Sequence, residues 1–186
     1  VIAAMRKHGD SVPVQERGCE TLWSISGTDE VNRVRIAEEG GIGVVITAME
    51  RHADAERIQE LGCRALCNIA CNRSNKVAIG AEGCISTVIA ALRKHSESVP
   101  VQHHGCWALQ KIALCNENNR ELIAAQGGIE LVIAAMEKHA DAVGVQERAC
   151  GVLLDLAVNN DNSERISAKG GIRAVVAAMR KHGEAQ

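Results

Sequence analysis

One seven-residue phrase recurs five times at a fixed period, and this regularity constrains the fold more than any other feature of the chain. The copies are IAAMRKH, ITAMERH, IAALRKH, IAAMEKH and VAAMRKH, which end at His8, His52, His95, His139 and His182. Successive copies are therefore 43 or 44 residues apart. A period of this length is typical of stacked helical repeats. Such an array presents an extended surface to a partner rather than building a closed catalytic pocket.

The composition argues against several classes of protein. The chain has 21 basic and 23 acidic residues and a formal net charge of −2, which gives no support to a dominant role on nucleic acid or a membrane surface. No apolar run approaches the roughly 20 residues that cross a bilayer, and no signal-peptide pattern is present. With two Trp and no Phe or Tyr, the core must consist of aliphatic residues, Met and Cys.

Four of the eight cysteines recur with the repeat, at Cys19, Cys63, Cys106 and Cys150. Equivalent positions on stacked helices lie about 8–10 Å apart, which is too far for direct disulfide bonds. We therefore expect small buried thiols in a reducing compartment, and a protein of the cytoplasm or the nucleus.

Each repeat contains three predicted helices. The first begins at a recurring asparagine, which is a good N-cap. These predicted N-caps are Asn32, Asn75, Asn119 and Asn162. The first helix ends at a glycine, which permits a left-handed turn. These glycines are Gly40, Gly83, Gly127 and Gly170. The second helix is apolar almost all round and ends in the basic phrase described above.

The third helix is the longest, and its copies are VQERGCETLWSIS, IQELGCRALCNIA, VQHHGCWALQKIA and VQERACGVLLDLA. A glutamine recurs near its start, at Gln15, Gln59, Gln102 and Gln146. A leucine that we expect to pack inward recurs at Leu22, Leu66, Leu109 and Leu153.

This unit resembles the armadillo repeat in its Gly-Gly-Ile turn before the second helix and in its VQxxxCxxLxxIA third helix. The clearest copy is CWALQKIA at residues 106–113, and the match covers essentially the whole chain. The resemblance implies an all-α fold, a right-handed α-solenoid of stacked three-helix repeats. HEAT repeats are the nearest structural rival, but they use two helices per unit and would not need the paired glycines.

The repeats predict one array over residues 1–186, with four repeats of 43–44 residues and a partial leading helix. Neither end shows the polar capping repeat that solenoids usually need. This pattern is typical of a piece of a longer array or of an artificial array of near-consensus repeats. Apolar faces at both ends would favour end-to-end self-association.

The resemblance also implies where a partner binds. In armadillo proteins the third helices line a concave groove, and members that bind extended peptides carry a Trp and an Asn four residues apart on each of them. The Trp positions correspond here to Glu20, Arg64, Trp107 and Gly151. The Asn positions correspond to Ser24, Asn68, Lys111 and Asp155. Only Trp107 and Asn68 match, on different repeats, so the regular ladder that reads basic import signals is absent.

One turn earlier on the same helix face are Glu16, Glu60, His103 and Glu147. The predicted groove is therefore acidic at both ends and mixed in its middle, where Trp107 is the expected anchor of a partner. The alternative is that Trp107 only fills space between adjacent third helices. We expect a non-enzymatic scaffold that binds a protein or an extended peptide. The alternatives are a structural or self-assembling module and a regulatory array of a larger multidomain protein.

Metal and catalytic sites are not expected. Equivalent histidines about 8–10 Å apart cannot share a zinc ion, whose ligands lie about 2 Å away, so helix-end capping is the better interpretation. Cys63, Cys67 and Cys71 share one helix face but lack a fourth ligand. The paired glycines are helix turns, and no catalytic triad stands apart from the repeat pattern, so we predict no cofactor. A basic residue precedes each recurring histidine and predicts a basic ridge along one edge, at Lys7, Arg51, Lys94, Lys138 and Lys181.

Overall fold

The computed structural model describes residues 1–183, which form thirteen α-helices and no strand. The leading helix, α1 (Ile2–Lys7), is short and corresponds to the second helix of a repeat. The helices of the four following repeats, in chain order, are α2 (Val12–Ser26), α3 (Glu30–Glu38), α4 (Gly41–Arg51), α5 (Glu56–Ile69), α6 (Arg73–Ala81), α7 (Cys84–Lys94), α8 (Val99–Ala113), α9 (Glu117–Ala125), α10 (Gly128–Lys138), α11 (Val143–Leu156), α12 (Asn160–Ala168) and α13 (Gly171–His182). The last three residues of the predicted array, 184–186, lie outside the described residues.

The predicted left-handed turns between first and second helices are confirmed. Gly40, Gly83, Gly127 and Gly170 have φ angles of 78°, 82°, 82° and 87°. A side chain at such a position would crowd the neighbouring carbonyl, so glycine allows the chain to reverse without strain. Each first helix therefore folds back at once into the second helix of its own repeat.

The predicted N-caps of the first helices are wrong by three residues. The N-caps are Asp29, Asn72, Asn116 and Asn159, whose side chains accept the backbone N–H three residues later at 2.7–3.1 Å. Asparagine recurs at the predicted positions partly for another reason, which is contact between repeats. The Asn75 amide donates to Arg33 O and the Asn119 amide to Lys76 O, each at 2.9 Å and each in the preceding repeat.

The recurring glutamine of each third helix caps the preceding second helix. In α5, Gln59 Nε2 donates to Met49 O at 2.8 Å and to His52 O at 3.0 Å. Both carbonyls belong to the end of α4, where no backbone partner exists within the helix. Gln15, Gln102 and Gln146 make the equivalent pair of bonds.

Four of the five recurring histidines link successive repeats. Each ring places Nε2 at 2.7–2.9 Å from a carbonyl of the preceding turn, and the pairs are His52–Gly9, His95–Ala53, His139–Ser96 and His182–Ala140. Because a carbonyl only accepts, Nε2 carries the proton. The expected helix-end position is confirmed for His8, His52, His95 and His139, which are the C-cap residues of their helices.

The predicted basic ridge is largely neutralised by acids of the preceding repeat. Arg51 pairs with Asp10 at 3.3 Å, Lys94 with Asp54 at 2.6 Å and Lys181 with Asp141 at 2.5 Å. Lys138 pairs with Glu97. These pairs are solvent-exposed, so water and salt screen their attraction and they add little to stability.

The core runs along the whole array between the helix layers. Third helices pack side by side, α2 on α5, α5 on α8 and α8 on α11. The predicted inward leucines are confirmed, because Leu22, Leu66, Leu109 and Leu153 are all buried. All eight cysteines are free, and of the periodic set only Cys150 is half-buried rather than buried.

No single helix of residues 1–183 combines the length and apolar character needed to cross a membrane. The pair α6 and α7 satisfies both measures together, with a bend of 73° between the two helices.

Candidate partner-binding face

The twelve predicted groove residues lie on the four third helices, three on each, and none is buried. We call this surface the third-helix face, which comprises Glu16, Glu20, Ser24, Glu60, Arg64, Asn68, His103, Trp107, Lys111, Glu147, Gly151 and Asp155. The spacing of four residues places the three members of each helix on one side. The opposite side of the same helices carries the buried glutamine, cysteine and leucine positions, so this face is the side left to solvent.

A chain of ion pairs crosses the third-helix face from α2 to α5. Arg17 contacts Glu20 at 2.6 Å, and Arg57 contacts Glu20 at 3.9 Å and Glu60 at 2.8 Å. Arg64 then contacts Glu60 at 3.3 Å. Glu20 of the predicted acidic end and Glu60 of α5 are therefore neutralised by arginines, and two of these, Arg17 and Arg57, were not among the predicted site residues. Glu16 makes no ion pair with any described residue.

Trp23 and Arg64 stack across α2 and α5. The guanidinium carbon of Arg64 lies 3.5 Å from the centre of the Trp23 ring, a cation–π contact. The Asn68 side-chain amide donates to Trp23 O at 3.0 Å. Trp23 is half-buried and packs against Arg64, while Asn68 has one N–H already committed inside the array.

Trp107 lies half-buried between α8 and α11. The Arg148 guanidinium is 4.5 Å from the centre of its ring, and the His104 ring stacks with it at 6.1 Å. Its Nε1 is buried and has no hydrogen-bond partner among residues 1–183. The ring therefore fills space between adjacent third helices and still presents part of its surface to solvent. Gly151 faces the same seam, where a Cβ would come within 2.3 Å of Gln110 Nε2.

The two adjacent histidines of α8 are held neutral at pH 7. Burial, followed by the nearby His103, Arg64, Arg148 and Arg57, lowers the pKa of His104 to about 4. Burial, followed by Arg148, also lowers the pKa of His103. The positive charge in the middle of the face therefore comes from arginines rather than from histidines.

The last turn of α8 gathers cations from three helices. Lys111 belongs to this turn, Lys76 of α6 donates to Leu114 O, and Arg120 of α9 donates to Ala113 O at 3.4 Å. Asp155 of α11 faces them. Burial raises the pKa of this carboxyl, while Arg120, Lys76 and Lys111 lower it. The acid predicted for this end of the groove is thus surrounded by positive groups.

Five charged residues beside the face were missed from the sequence. Arg17 and Arg148 directly follow Glu16 and Glu147, and Arg57 precedes Glu60 by three residues. Lys76 and Arg120 were detectable, because they occupy equivalent positions that also include Arg33. The basic residues at these three positions each donate to the carbonyl end of a third helix. Lys76 and Arg120 do so at the end of α8, and Arg33 Nε donates to Ser26 O of α2 at 2.8 Å.

Metal-ligating side chains do not converge in the described part of the chain, where no three His, Cys, Asp or Glu residues are placed to hold an ion. Cys63 and Cys67 are buried while Cys71 is exposed. Burial raises the pKa of the Cys67 thiol to about 12 and that of Cys63 well above its usual range.

Comparisons with known proteins agree with this architecture. No curated protein matches the chain. Two crystal structures of engineered proteins from the Northeast Structural Genomics Consortium are similar in fold. One shares 18% identity over 100% of this chain and 88% of its own, with a TM-score of 0.57. The other shares 15% identity over 97% of this chain and 94% of its own, with a TM-score of 0.55. The family model described as LRRK2 ARM repeat matches residues 1–170. With its glycine turns, three-helix repeats and continuous layer of third helices, the chain belongs to the armadillo-repeat family and folds as an α-solenoid.

Proposed function

We propose that this chain is a non-enzymatic scaffold that binds a segment of a partner protein, or an extended peptide, along the third-helix face. One observation carries the proposal: twelve regularly spaced residues on four neighbouring helices all remain accessible, while the opposite side of each helix is buried. A surface of this kind suits an extended partner rather than a small substrate. The armadillo fold is typically a non-catalytic scaffold, which agrees with this proposal.

Trp107 is the proposed anchor of the partner. Its ring is large, partly accessible and held in place by Arg148 and His104, and rigid aromatic residues dominate interface energetics. The polar groups that flank it are His103 and Lys111 on the same helix. A partner segment lying across α5, α8 and α11 would contact all three residues and Arg64.

A selection from a random peptide library tests this function. Peptides that bind the wild-type chain are measured against Trp107→Ala and Glu147→Arg, and against Val77→Ala as a control on the exposed side of α6. We expect both variants of the third-helix face to lose at least about ten-fold in affinity, since anchor residues contribute 2 kcal/mol or more. Glu147 is exposed, so its replacement tests the face without disturbing the core. Selected peptides that bind all three variants equally would rule out this face as the site.

Self-association is a second candidate function, and it depends on a different surface. Ile172 and Met179 of α13 are 60% and 67% exposed, whereas the equivalent Ile129 and Met136 of α10 are 0% and 2% exposed. An apolar face of this type favours stacking of copies. Sedimentation over a range of concentrations tests it: growth into longer species that Met179→Glu abolishes supports assembly, and a constant monomer contradicts it.

A further inference from the structure

Most charges on the third-helix face are already paired. Glu20 and Glu60 lie within the arginine chain of α2 and α5, and Glu147 contacts Arg148 at 3.3 Å. Charges paired in this way are poor attachment points, because a partner must first break the internal contact. The face therefore has little free charge along its first two helices.

The last turn of α8 is the exception. We call Lys76, Lys111 and Arg120 the α8 lip, because all three surround this turn at the edge of the third-helix face. They come from three different helices, and none makes an ion pair within 4 Å of its nitrogen atoms among residues 1–183. Lys76 is buried and Lys111 and Arg120 are half-buried, so part of their hydration has been lost.

The α8 lip has more donors than the protein satisfies. Lys76 and Arg120 each give one bond to a carbonyl of the α8 end, and the helix end supplies roughly half a negative charge. Asp155 faces all three cations: burial raises the pKa of its carboxyl, and the three cations lower it. Arg120 Nε is buried and has no hydrogen-bond partner in the described residues. Three cations thus face one carboxylate and a helix end, which leaves a net positive charge.

We infer that the α8 lip binds an acidic side chain of the partner segment, so that the face selects peptides carrying Glu or Asp at that point. This inference rests on the proposed function, because the lip lies at the edge of the same face. A carboxylate placed between Lys111 and Arg120 would accept charge-assisted hydrogen bonds from the Lys111 ammonium and from the accessible part of the Arg120 guanidinium. Neighbouring Trp107 would contact the adjacent part of the same peptide.

A peptide carboxylate suits the lip better than nucleic-acid phosphate. Phosphate backbones need basic residues spread along a surface, whereas the rest of the third-helix face carries paired charges and the chain has a net charge of −2. Three cations around one helix turn match a single acidic side chain or two neighbouring ones.

The test uses fluorescence anisotropy with two labelled twelve-residue peptides, one alternating Glu with Gly and the other alternating Gln with Gly. At about 20 mM salt we expect the Glu peptide to bind the wild-type chain at least ten-fold more tightly than the Gln peptide, and raising the salt to about 150 mM to weaken it. Lys111→Gln should weaken the Glu peptide about five-fold, as expected for loss of one partly exposed ion pair.

The matched control is Lys7→Gln, which removes the same charge from an exposed lysine of α1. It should leave the affinity unchanged. Equal effects of the two variants would show that only net charge matters and would overturn the inference, as would equal binding of the Glu and Gln peptides. Tighter binding of a ten-residue oligothymidylate than of the Glu peptide would also overturn it, in favour of a phosphate ligand.

Failure of this inference is distinguishable from failure of the proposed function. One outcome is a set of library peptides that contain no acidic residue and lose affinity with Trp107→Ala but not with Lys111→Gln. This result would support the scaffold function and contradict acid binding by the α8 lip. Library peptides whose affinity is unchanged by both Trp107→Ala and Glu147→Arg would contradict the proposed function itself.

Discussion

At the scale of single residues, His104 shows how the array changes the chemistry of a side chain. The recurring histidines at helix ends hydrogen-bond to backbone carbonyls, whereas His104 lies in a third helix among Arg57, Arg64 and Arg148. Its Nδ1 is buried and has no hydrogen-bond partner within the described range 1–183, and its Nε2 lies 3.8 Å from Glu60 Oε1. The same residue type is thus a link between repeats in one place and a neutral packing group in another.

The low pKa of His104 predicts a loss of stability in acid. Above pH 6.5 the ring is neutral in both the folded and the unfolded chain, so it does not make the free energy of unfolding depend on pH. Between pH 6.5 and about 4 only the unfolded chain takes up the proton, so the free energy of unfolding falls, and below about 4 the effect levels off. We expect His104→Gln to reduce the loss between pH 7 and pH 4.5 by about 2 kcal/mol in urea unfolding. An identical pH dependence in the two proteins would contradict this.

Burial also predicts which thiols react. Cys71 and Cys115 are exposed, whereas Cys19, Cys63, Cys84 and Cys106 are buried and burial raises the pKa of each thiol. Because the thiolate is the reactive form, a thiol reagent should modify Cys71 and Cys115 rapidly in the folded protein. All eight cysteines should react in urea. Rapid native modification of Cys63, located by peptide mass spectrometry, would contradict the buried assignment.

At the scale of helices, each third helix has two distinct sides. Its inner side carries the glutamine that caps the preceding second helix and the leucine of the core, and its outer side carries the third-helix face. The outer side varies between repeats while the inner side recurs. Binding properties can therefore change without altering how the helices pack.

The capping glutamine predicts a stability cost that recurs in each repeat. Gln59→Met keeps the approximate shape but leaves Met49 O and His52 O without the side-chain donor. We expect the free energy of unfolding to fall by about 2 kcal/mol, since a buried polar group loses its partner. Gln146→Met should cost a similar amount because the contacts are equivalent. The control is Gln126→Met, whose side chain lies at the end of α9 and makes none of these bonds. Equal stability of Gln59→Met and the control, in chemical unfolding, would refute the capping role.

At the scale of the whole molecule, contacts join each repeat mainly to its neighbours. The His–carbonyl, Asn–carbonyl and Lys–Asp links all connect adjacent repeats. In such arrays stability is approximately a sum of repeat and interface contributions. The repeats with neighbours on both sides should therefore be the most stable part.

Hydrogen exchange measures this difference directly. In α7, seven residues are buried, whereas in α13 only Gly171, Ala174 and Ala178 are buried. We expect amides of α13 to exchange at least ten-fold faster than those of α7, because opening α13 exposes less apolar surface. Equal protection of the two helices, measured by mass spectrometry, would show that the array opens only as one unit.

The sequence by itself determined the period, the three-helix repeat, the left-handed glycine turns and the inward leucines. These features depend on local conformation and helical spacing, which are fixed by residue type and order. It also determined which twelve residues remain accessible, although their part in binding stays a prediction. The N-cap prediction failed because asparagine recurs at two positions of the repeat that are three residues apart. The earlier position is the N-cap, where only Asp29 is not asparagine, and the later one links neighbouring repeats.

Only the tertiary structure decided which charges and rings meet across repeats. Arg64 stacks on Trp23, Arg148 covers Trp107, and Lys76 reaches the end of α8. Each of these contacts joins residues about one repeat apart in the chain, and it depends on the offset between packed helices and on side-chain rotamers. The repeat period and the composition specify neither the helix offset nor the rotamers. The same sequence pattern is therefore compatible with groove charges that are free or that are neutralised by neighbouring repeats. Packing neutralised most of the predicted groove and left the lip around the last turn of α8 positive.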